Sequence, residues 1–258
     1  MKNIRSILSF SAMAVLLFTS SCKKEVAGPA GPQGSSGPSL SGNLSGFIWL
    51  YDQYGTRLYT DLDSAKVSID NSTRVSYTDL NGKYMFSGLN TGNYNITIGD
   101  TLYGSDKIQD LQFVGGGDVS RDVKLSEKPT FNMTSCIAVD TVVNTVNYVK
   151  VRGNIIADVR NRMMVVFANG VSTVDATPAN YILTYSKQIP GNATNFSILI
   201  PATDLYGAGM VSTSTVYFAA YSAAINFNTT STYQDFTTGR SIYNAIGATP
   251  INFNVMVP

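Results

Sequence analysis

The sequence predicts an all-β fold: two tandem β-sandwiches that follow a signal peptide and a short collagen-like Gly/Pro tether. Beyond the tether, apolar residues alternate in short runs that Gly, Asn and Asp interrupt about every ten residues, which is typical of sandwiches. No stretch shows sustained helical periodicity. Pro129 marks a junction between two groups of predicted strands. The expected divisions are a signal peptide, a lipidated cysteine with its tether, and the two sandwiches, at 1–21, 22–44, 45–127 and 128–258.

The amino-terminal segment has the pattern of a secretory signal peptide. Lys2 and Arg5 precede the apolar run "ILSFSAMAVLLF" (residues 7–18), and small residues continue to Cys22. This run is 12 residues long, whereas a membrane-spanning helix needs about 20. A cleaved signal peptide is therefore favoured over a retained transmembrane anchor.

The cysteine after this run resembles the lipobox of bacterial lipoproteins. Cys22 directly follows Ser20 and Ser21, while Thr19 stands where the motif usually has an aliphatic residue. The resemblance implies that Cys22 is diacylated, for example with palmitate, and then N-acylated, which anchors a protein stably because several acyl chains enter the bilayer. The alternative is an ordinary signal peptide with an incidental cysteine.

Four Gly-first triplets, "GPAGPQGSSGPS", follow at residues 28–39. Glycine at every third position with proline is the collagen pattern, but four triplets offer too little contact between chains to hold a triple helix. Such a segment lacks the apolar residues of a core and is expected to act as a spacer. Short collagen-like segments after the acylated cysteine resemble those of Gram-negative surface lipoproteins.

A family resemblance lies in "TDLNGKYMFSGLNTGNY", residues 78–94. Asn81-Gly82 suits a tight hairpin, and the spacing Leu89-x-x-Gly92-x-Tyr94 is that of a tyrosine corner. Over about 80 residues, this region resembles the carboxypeptidase regulatory-like domain, although "LYTDLDS" replaces the usual short turn. The resemblance implies a non-catalytic, prealbumin-like β-sandwich; members of the family bind partners, sugars or no known ligand, so it implies architecture more than activity.

Alternation assigns faces within this first sandwich. Seven strands are predicted: "GFIWLY", "AKVSID", "RVSYT", "KYMFS", "YNITIG", "KIQDLQFV" and "VSRDVKL". The predicted core positions are Ile48, Leu50, Val67, Ile69, Val75, Tyr77, Tyr84, Phe86, Tyr94, Ile96 and Ile98. Phe47, Trp49 and Tyr51 then share the opposite face of the first strand. They form either a platform for stacking sugar rings or a surface covered by the second sandwich or the tether.

The second group of strands resembles an immunoglobulin or fibronectin type III sandwich. Its predicted strands are "NYVKVRGNIIA", "RMMVVFA", "NYILTYS", "NFSILIPA", "TVYFAAYSA" and "INFNVMV". Tyr217 occupies the position at which fibronectin-type folds favour a tyrosine. Residues 226–250 are a polar, Gly/Thr-rich excursion, and loops of that length are usually functional or disordered.

The composition excludes several classes of partner and catalytic site. Charged residues make up 14% of the chain, against an average of about 25%. Cleavage after residue 21 removes Lys2 and Arg5 from 18 basic residues and leaves 16 against 17 acidic ones, a balance of −1. A near-neutral chain without a basic block argues against nucleic acid as a partner.

Histidine is absent, which removes His-dependent catalysis and His zinc sites, and no cofactor is expected. Cys136 is expected to be a buried, inert thiol.

The acidic residues include two pairs that are weak candidates for metal ligands. Asp61 with Asp63, or Asp106 with Asp110, could supply calcium ligands, but solvated turn carboxylates are favoured and no metal is expected. The "GGG" at 115–117 is interpreted as a turn or bulge.

Three Asp-Ser/Thr-apolar triplets resemble an acceptor for O-glycosylation in exported bacterial proteins. They place the hydroxyl at Ser64, Thr101 and Thr141. These residues are the candidate glycosylation sites.

Two classes of function fit the sequence. The favoured one is a non-catalytic, membrane-anchored lipoprotein of the outer membrane, facing the cell surface or the periplasm, whose sandwiches bind polysaccharide or another envelope protein. The alternative is a carboxylate-only hydrolase such as a glycosidase, which needs two carboxyl groups roughly 5–10 Å apart in a cleft.

Overall fold

Residues 40–258, which a computed structural model describes, fold almost entirely into β-strands. The predicted signal peptide, Cys22 and the tether up to residue 39 lie outside the described residues. A single short helix, α1 (Ala202–Gly207), occurs in the described range. Between residues 40 and 258, no helix is long and apolar enough to cross a bilayer. The all-β prediction is confirmed.

Two sheets with a shared core form the first sandwich, residues 41–126. Its strands are β1 (Ser41–Tyr51), β2 (Lys66–Ile69), β3 (Val75–Tyr77), β4 (Lys83–Asn90), β5 (Gly92–Gly99), β6 (Asp106–Phe113), β7 (Asp118–Ser120) and β8 (Val123–Ser126). One sheet has the order β4-β1-β7, with β8 also paired to β1, and the other has the order β3-β2-β5-β6. Both β7 and β8 run parallel to β1.

Strand β1 begins at Ser41, inside the segment that the sequence assigned to the tether. The reason is Leu44, which is fully buried in the core of the first sandwich. The predicted strand 119–125 is divided into β7 and β8 at Arg121. The Arg121 carbonyl oxygen lies 1.9 Å from where a Cβ at Gly46 would be, so only glycine permits this close approach.

Nine of the predicted core positions of this sandwich lie in or against the core, but Val75 and Tyr77 do not. Their side chains are 43% and 63% exposed. Strand β3 is a three-residue edge strand in which Val75 pairs with Ser68 and Tyr77 with Lys66, both on the outer face. The prediction for these two residues was wrong by one residue of the strand. A shift of one residue moves side chains from the core face to the outer face.

The predicted tyrosine corner is present between the two sheets. Tyr94 donates a hydrogen bond from its phenol to the carbonyl oxygen of Asn90 at 2.9 Å. Asn90 ends β4 and Gly92 begins β5, which belong to different sheets. The phenol thus fixes the connection by which the chain changes sheets.

The second sandwich, residues 133–257, also has two facing sheets. Its strands are β9 (Met133–Val143), β10 (Val146–Ile155), β11 (Arg162–Asn169), β12 (Leu183–Ile189), β13 (Asn195–Pro201), β14 (Thr215–Ala223) and β17 (Ile251–Met256). The sheet orders are β13-β10-β9 and β12-β11-β14-β17. Each of the predicted strand segments overlaps one of these strands, whereas β9 was missed. Cys136 of β9 is buried, and burial raises the pKa of its thiol to about 12, as expected for an inert cysteine.

Strands β11 and β14 are buried on both faces. One face contributes to the core between the sheets. The other packs against a second apolar cluster that includes Val174, Tyr181, Phe227 and Ala245. Burial on both faces explains why the sequences of these strands are nearly continuous apolar runs rather than alternating ones.

Residues 226–250, here called the bridging segment, pack between the second sandwich and the first. They contain the hairpin of β15 (Thr232–Asp235) and β16 (Arg240–Tyr243). Their contacts with the first sandwich include hydrogen bonds from Gln109 to Gln234 and from Asn244 to Ser105, each at 3.0 Å. The long excursion is therefore a structured link.

A second set of contacts joins the sandwiches directly. The Tyr54 phenol donates to the Asp158 carboxylate at 3.0 Å, and the Arg160 guanidinium lies 3.5 Å from the centroid of the Tyr54 ring. Arg160 also forms an ion pair with Asp158 at 3.0 Å. The hydrogen bonds from Arg160 hold the pKa of Asp158 well below its ordinary value.

Candidate functional site

The outer face of the β4-β1-β8 sheet carries four stacked planar groups, here called the aromatic column: Phe47, Trp49, Arg57 and Tyr59. The Phe47 and Trp49 rings are nearly parallel, with centroids 5.2 Å apart and an interplanar angle of 13°. The Arg57 guanidinium lies 3.8 Å from the Trp49 ring centroid and 4.9 Å from that of Tyr59. A guanidinium stacked between aromatic rings is a cation–π arrangement.

A tight turn after β1 builds the column. The Asp52 carboxylate accepts a hydrogen bond from the Thr56 amide at 2.7 Å. Gly55 has a φ of 85°, a left-handed conformation that glycine adopts without strain. Arg57 is thereby bridged to Tyr51 in antiparallel register. The turn returns the chain beside β1 and brings Arg57 over the aromatic face.

The ring that is accessible to a ligand is not one of the three that the sequence predicted. A parallel ring at 5.2 Å and a guanidinium at 3.8 Å would overlap if they lay on one side of the indole, so Phe47 and Arg57 take opposite faces of Trp49. Phe47, Trp49 and Tyr51 are all half-buried. Tyr59, at the end of the column, is 74% exposed. The accessible stacking surface of the column is therefore Tyr59.

Sequence reasoning missed Arg57 and Tyr59. Their signal lies in "YDQYGTRLY" (residues 51–59), where a Gly-containing turn separates two stretches that each contain an aromatic and a charged residue. Buried Arg57 Nε has no hydrogen-bond partner within the part of the chain that the structure describes. The guanidinium is thus held by stacking at that edge.

Three of the four aspartates in the two acidic pairs lie at the surface. Asp61 and Asp63 are exposed, as is Asp110, which has a φ of 50°. Asp106 is half-buried on β6, and burial raises the pKa of its carboxyl to about 6. Within residues 40–258, no group of three or more His, Cys, Asp or Glu side chains could hold a metal ion.

The predicted glycosylation residues fall in two places. Ser64 and Thr101 are exposed and line one open cavity of about 530 Å³ on the outer face of the β3-β2-β5-β6 sheet. Thr141 is half-buried on β9 and pairs with Tyr148 of β10. The fold therefore brings Ser64 and Thr101 together and keeps Thr141 on the other sandwich.

No known protein family matches the chain, and no curated protein is significantly similar to it. Several solved structures are similar to parts of the chain at low identity. A type II cohesin–X-dockerin complex from Acetivibrio cellulolyticus is 19% identical with a TM-score of 0.29; the match covers 33% of this chain and 58% of that chain.

Two Bacteroides uniformis proteins match over more of the chain. One, provisionally described as a carbohydrate binding protein, is 14% identical over 84% of this chain and 100% of that chain, with a TM-score of 0.28. The other belongs to the DUF3823 family and is 16% identical over 86% of this chain and 100% of that chain, with a TM-score of 0.27. Similarity at this level identifies neither a ligand nor an activity.

Proposed function

We propose that the protein is a non-catalytic, lipid-anchored lipoprotein of the outer membrane whose β-sandwiches bind polysaccharide. The anchoring part rests on the signal-peptide pattern and on the lipobox resemblance at Cys22. The binding part rests on the aromatic column.

The observation that carries the proposal is the exposed Tyr59 ring stacked on a guanidinium. Glycan sites combine an apolar or aromatic surface with a few fixed polar groups. In the column, Tyr59 supplies the ring, and Arg57 supplies hydrogen-bond donors that are held flat between two aromatic side chains. Because Trp49 and Phe47 support Arg57 from below, the donors are oriented before a ligand arrives.

Tyr59→Ala tests the proposal. The mature chain, purified in detergent, is screened against an array of neutral and acidic bacterial and plant polysaccharides. Tyr59 is 74% exposed, so its removal is expected to change the free energy of unfolding by less than about 0.5 kcal/mol. Binding to the recognised polysaccharide should fall about tenfold or more, because the exposed stacking ring is lost.

Tyr77→Ala is the matched control, since Tyr77 is 63% exposed on the other sheet of the same sandwich. Equal loss of binding in both variants would contradict a site at the column. Release of reducing sugar from the bound polysaccharide, abolished by Asp106→Asn, would instead favour the hydrolase.

A further inference from the structure

The outer face of the β13-β10-β9 sheet in the second sandwich contains a shallow groove of about 450 Å³. The groove runs over the middle strand, β10, and is bounded by its two neighbours. Its polar side chains are Ser135, Lys150, Arg152, Asn154, Asn195 and Ser197. We refer to it as the cationic groove.

A glycine allows the three strands to lie close together at this groove. Gly153 of β10 lines it together with the Phe196 ring. A Cβ at position 153 would lie 2.1 Å from the carbonyl oxygen of Ser135 and 2.6 Å from Phe196 Cζ. No side chain can therefore occupy this position without displacing backbone, and the glycine permits the close approach of β9 and β13 to β10 beneath the groove.

The charge in the groove is not neutralised locally. Lys150 and Arg152 are two residues apart on one strand, so their side chains leave the same face about 7 Å apart. Neither side chain has an ion pair or a hydrogen bond with residues 40–258. Lys150 pairs with Val139 and Leu199, and Arg152 with Ile137 and Ser197, so the flanking positions carry no carboxylate.

We propose that the cationic groove binds a polysaccharide that carries carboxylate groups. A concave site lined by one sign of charge concentrates ions of the opposite sign, and Arg152 can hold a carboxylate through two parallel hydrogen bonds. The surrounding Ser135, Asn154 and Asn195 side chains offer hydroxyl and amide groups that match sugar hydroxyls. Nucleic acid is a less suitable anionic ligand than an acidic polysaccharide, because the chain as a whole is nearly neutral. The site lies on a different sandwich from the aromatic column; it rests on the proposed polysaccharide binding and extends it to acidic chains.

The test uses the purified mature chain with polygalacturonate as the acidic probe and dextran as the neutral one. Binding to polygalacturonate is expected to weaken as ionic strength rises, because exposed charges are screened. Arg152→Gln and Lys150→Gln should each lower the affinity about tenfold, which corresponds to the loss of one charged hydrogen bond. Arg152→Lys should give a smaller loss, since it keeps the charge without the planar fork.

Lys187→Gln is the matched control, because it removes the same charge from an exposed position on β12, in the opposite sheet of the same sandwich. Its affinity should equal that of the unchanged protein. Equal binding of dextran, or no binding of polygalacturonate, would overturn the proposal. A different anion would also overturn the proposal. This would be shown if the protein bound anionic lipid vesicles or DNA but not polygalacturonate, and if Arg152→Gln and Lys150→Gln abolished that binding.

Tyr59→Ala separates this site from the aromatic column. It should leave polygalacturonate binding unchanged if the cationic groove is the site. A loss in Tyr59→Ala without a loss in Arg152→Gln would assign the acidic chain to the column and overturn the groove.

Discussion

The hydroxyl group of Ser126 lies 2.5 Å from the hydroxyl group of Thr230, and both side chains are buried. Ser126 ends the last strand of the first sandwich, and Thr230 belongs to the bridging segment. The Ser126 amide also donates to the Ser231 hydroxyl at 3.0 Å. Buried hydroxyls are costly to leave unpaired, so these contacts favour a fixed arrangement of the two sandwiches over a hinge.

Gly104→Ala is expected to weaken this docking. A Cβ at Gly104 would lie 2.6 Å from Ser231 Cβ and 2.7 Å from the backbone carbonyl of Asn244. The bridging segment would have to shift, and overpacking of this kind typically costs about 1–3 kcal/mol. Urea denaturation should show the loss, and limited proteolysis should cut residues 226–250 faster.

Gly117→Ala is the control for that change, because a Cβ there meets nothing within 4 Å. It should leave stability and proteolysis nearly unchanged. Identical behaviour of the two variants would show that the contacts at Gly104 do not hold the sandwiches together.

The fold could be predicted from local pattern where one strand face is apolar, and less well where tertiary contacts decide. The Tyr94 corner followed from spacing alone. The hairpin expected at Asn81-Gly82 was wrong, because this turn joins β3 to β4, which belong to different sheets and do not pair. The bridging segment did not follow from spacing either, because two of its buried residues, Thr230 and Ser231, are small and polar and pair with Ser126 of the first sandwich. For the site, alternation correctly placed Phe47 and Trp49 on one face of β1. The position of Arg57 over this face could not be predicted, because it depends on the turn that returns the chain beside β1.

Asp106 should make the protein less stable as pH rises through the mildly acidic range. Burial raises its pKa from 3.8 to about 6, so between these values the folded chain binds more protons than the unfolded chain. The contribution is therefore present below about pH 4 and lost as pH rises through about 6. Asp106→Asn should remove this slope and raise the free energy of unfolding at pH 7 by about 1 kcal/mol, since part of the carboxylate stays hydrated.

Urea denaturation between pH 4 and pH 7.5 measures this effect as the difference between variant and unchanged protein. Asp63→Asn, at an exposed position, removes the same charge and is the matched control. A slope that is the same with and without Asp106 would contradict a carboxyl group whose pKa is raised by partial burial.

Cys22→Ala should release the protein from the membrane. If the lipobox resemblance holds, a fatty-acid probe labels the unchanged protein through Cys22, and the variant carries no label because the acceptor thiol is gone. Cys136→Ala is the natural control, since Cys136 is buried within β9. Membrane association that persists unchanged in the Cys22 variant would rule out acyl anchoring.

Trp49→Ala distinguishes support from direct ligand contact within the aromatic column. The indole is half-buried between Phe47 and Arg57, so its loss should cost about 2 kcal/mol, below the 3–5 kcal/mol typical of a fully buried Trp. About 0.5–1 kcal/mol of this is the cation–π contact with Arg57. Polysaccharide binding should also fall, because Arg57 loses the surface that holds it flat, and Trp49→Phe should restore most of both. An unchanged melting temperature with binding abolished would instead show that the ligand stacks on the indole itself, contrary to the position of Arg57 over that ring.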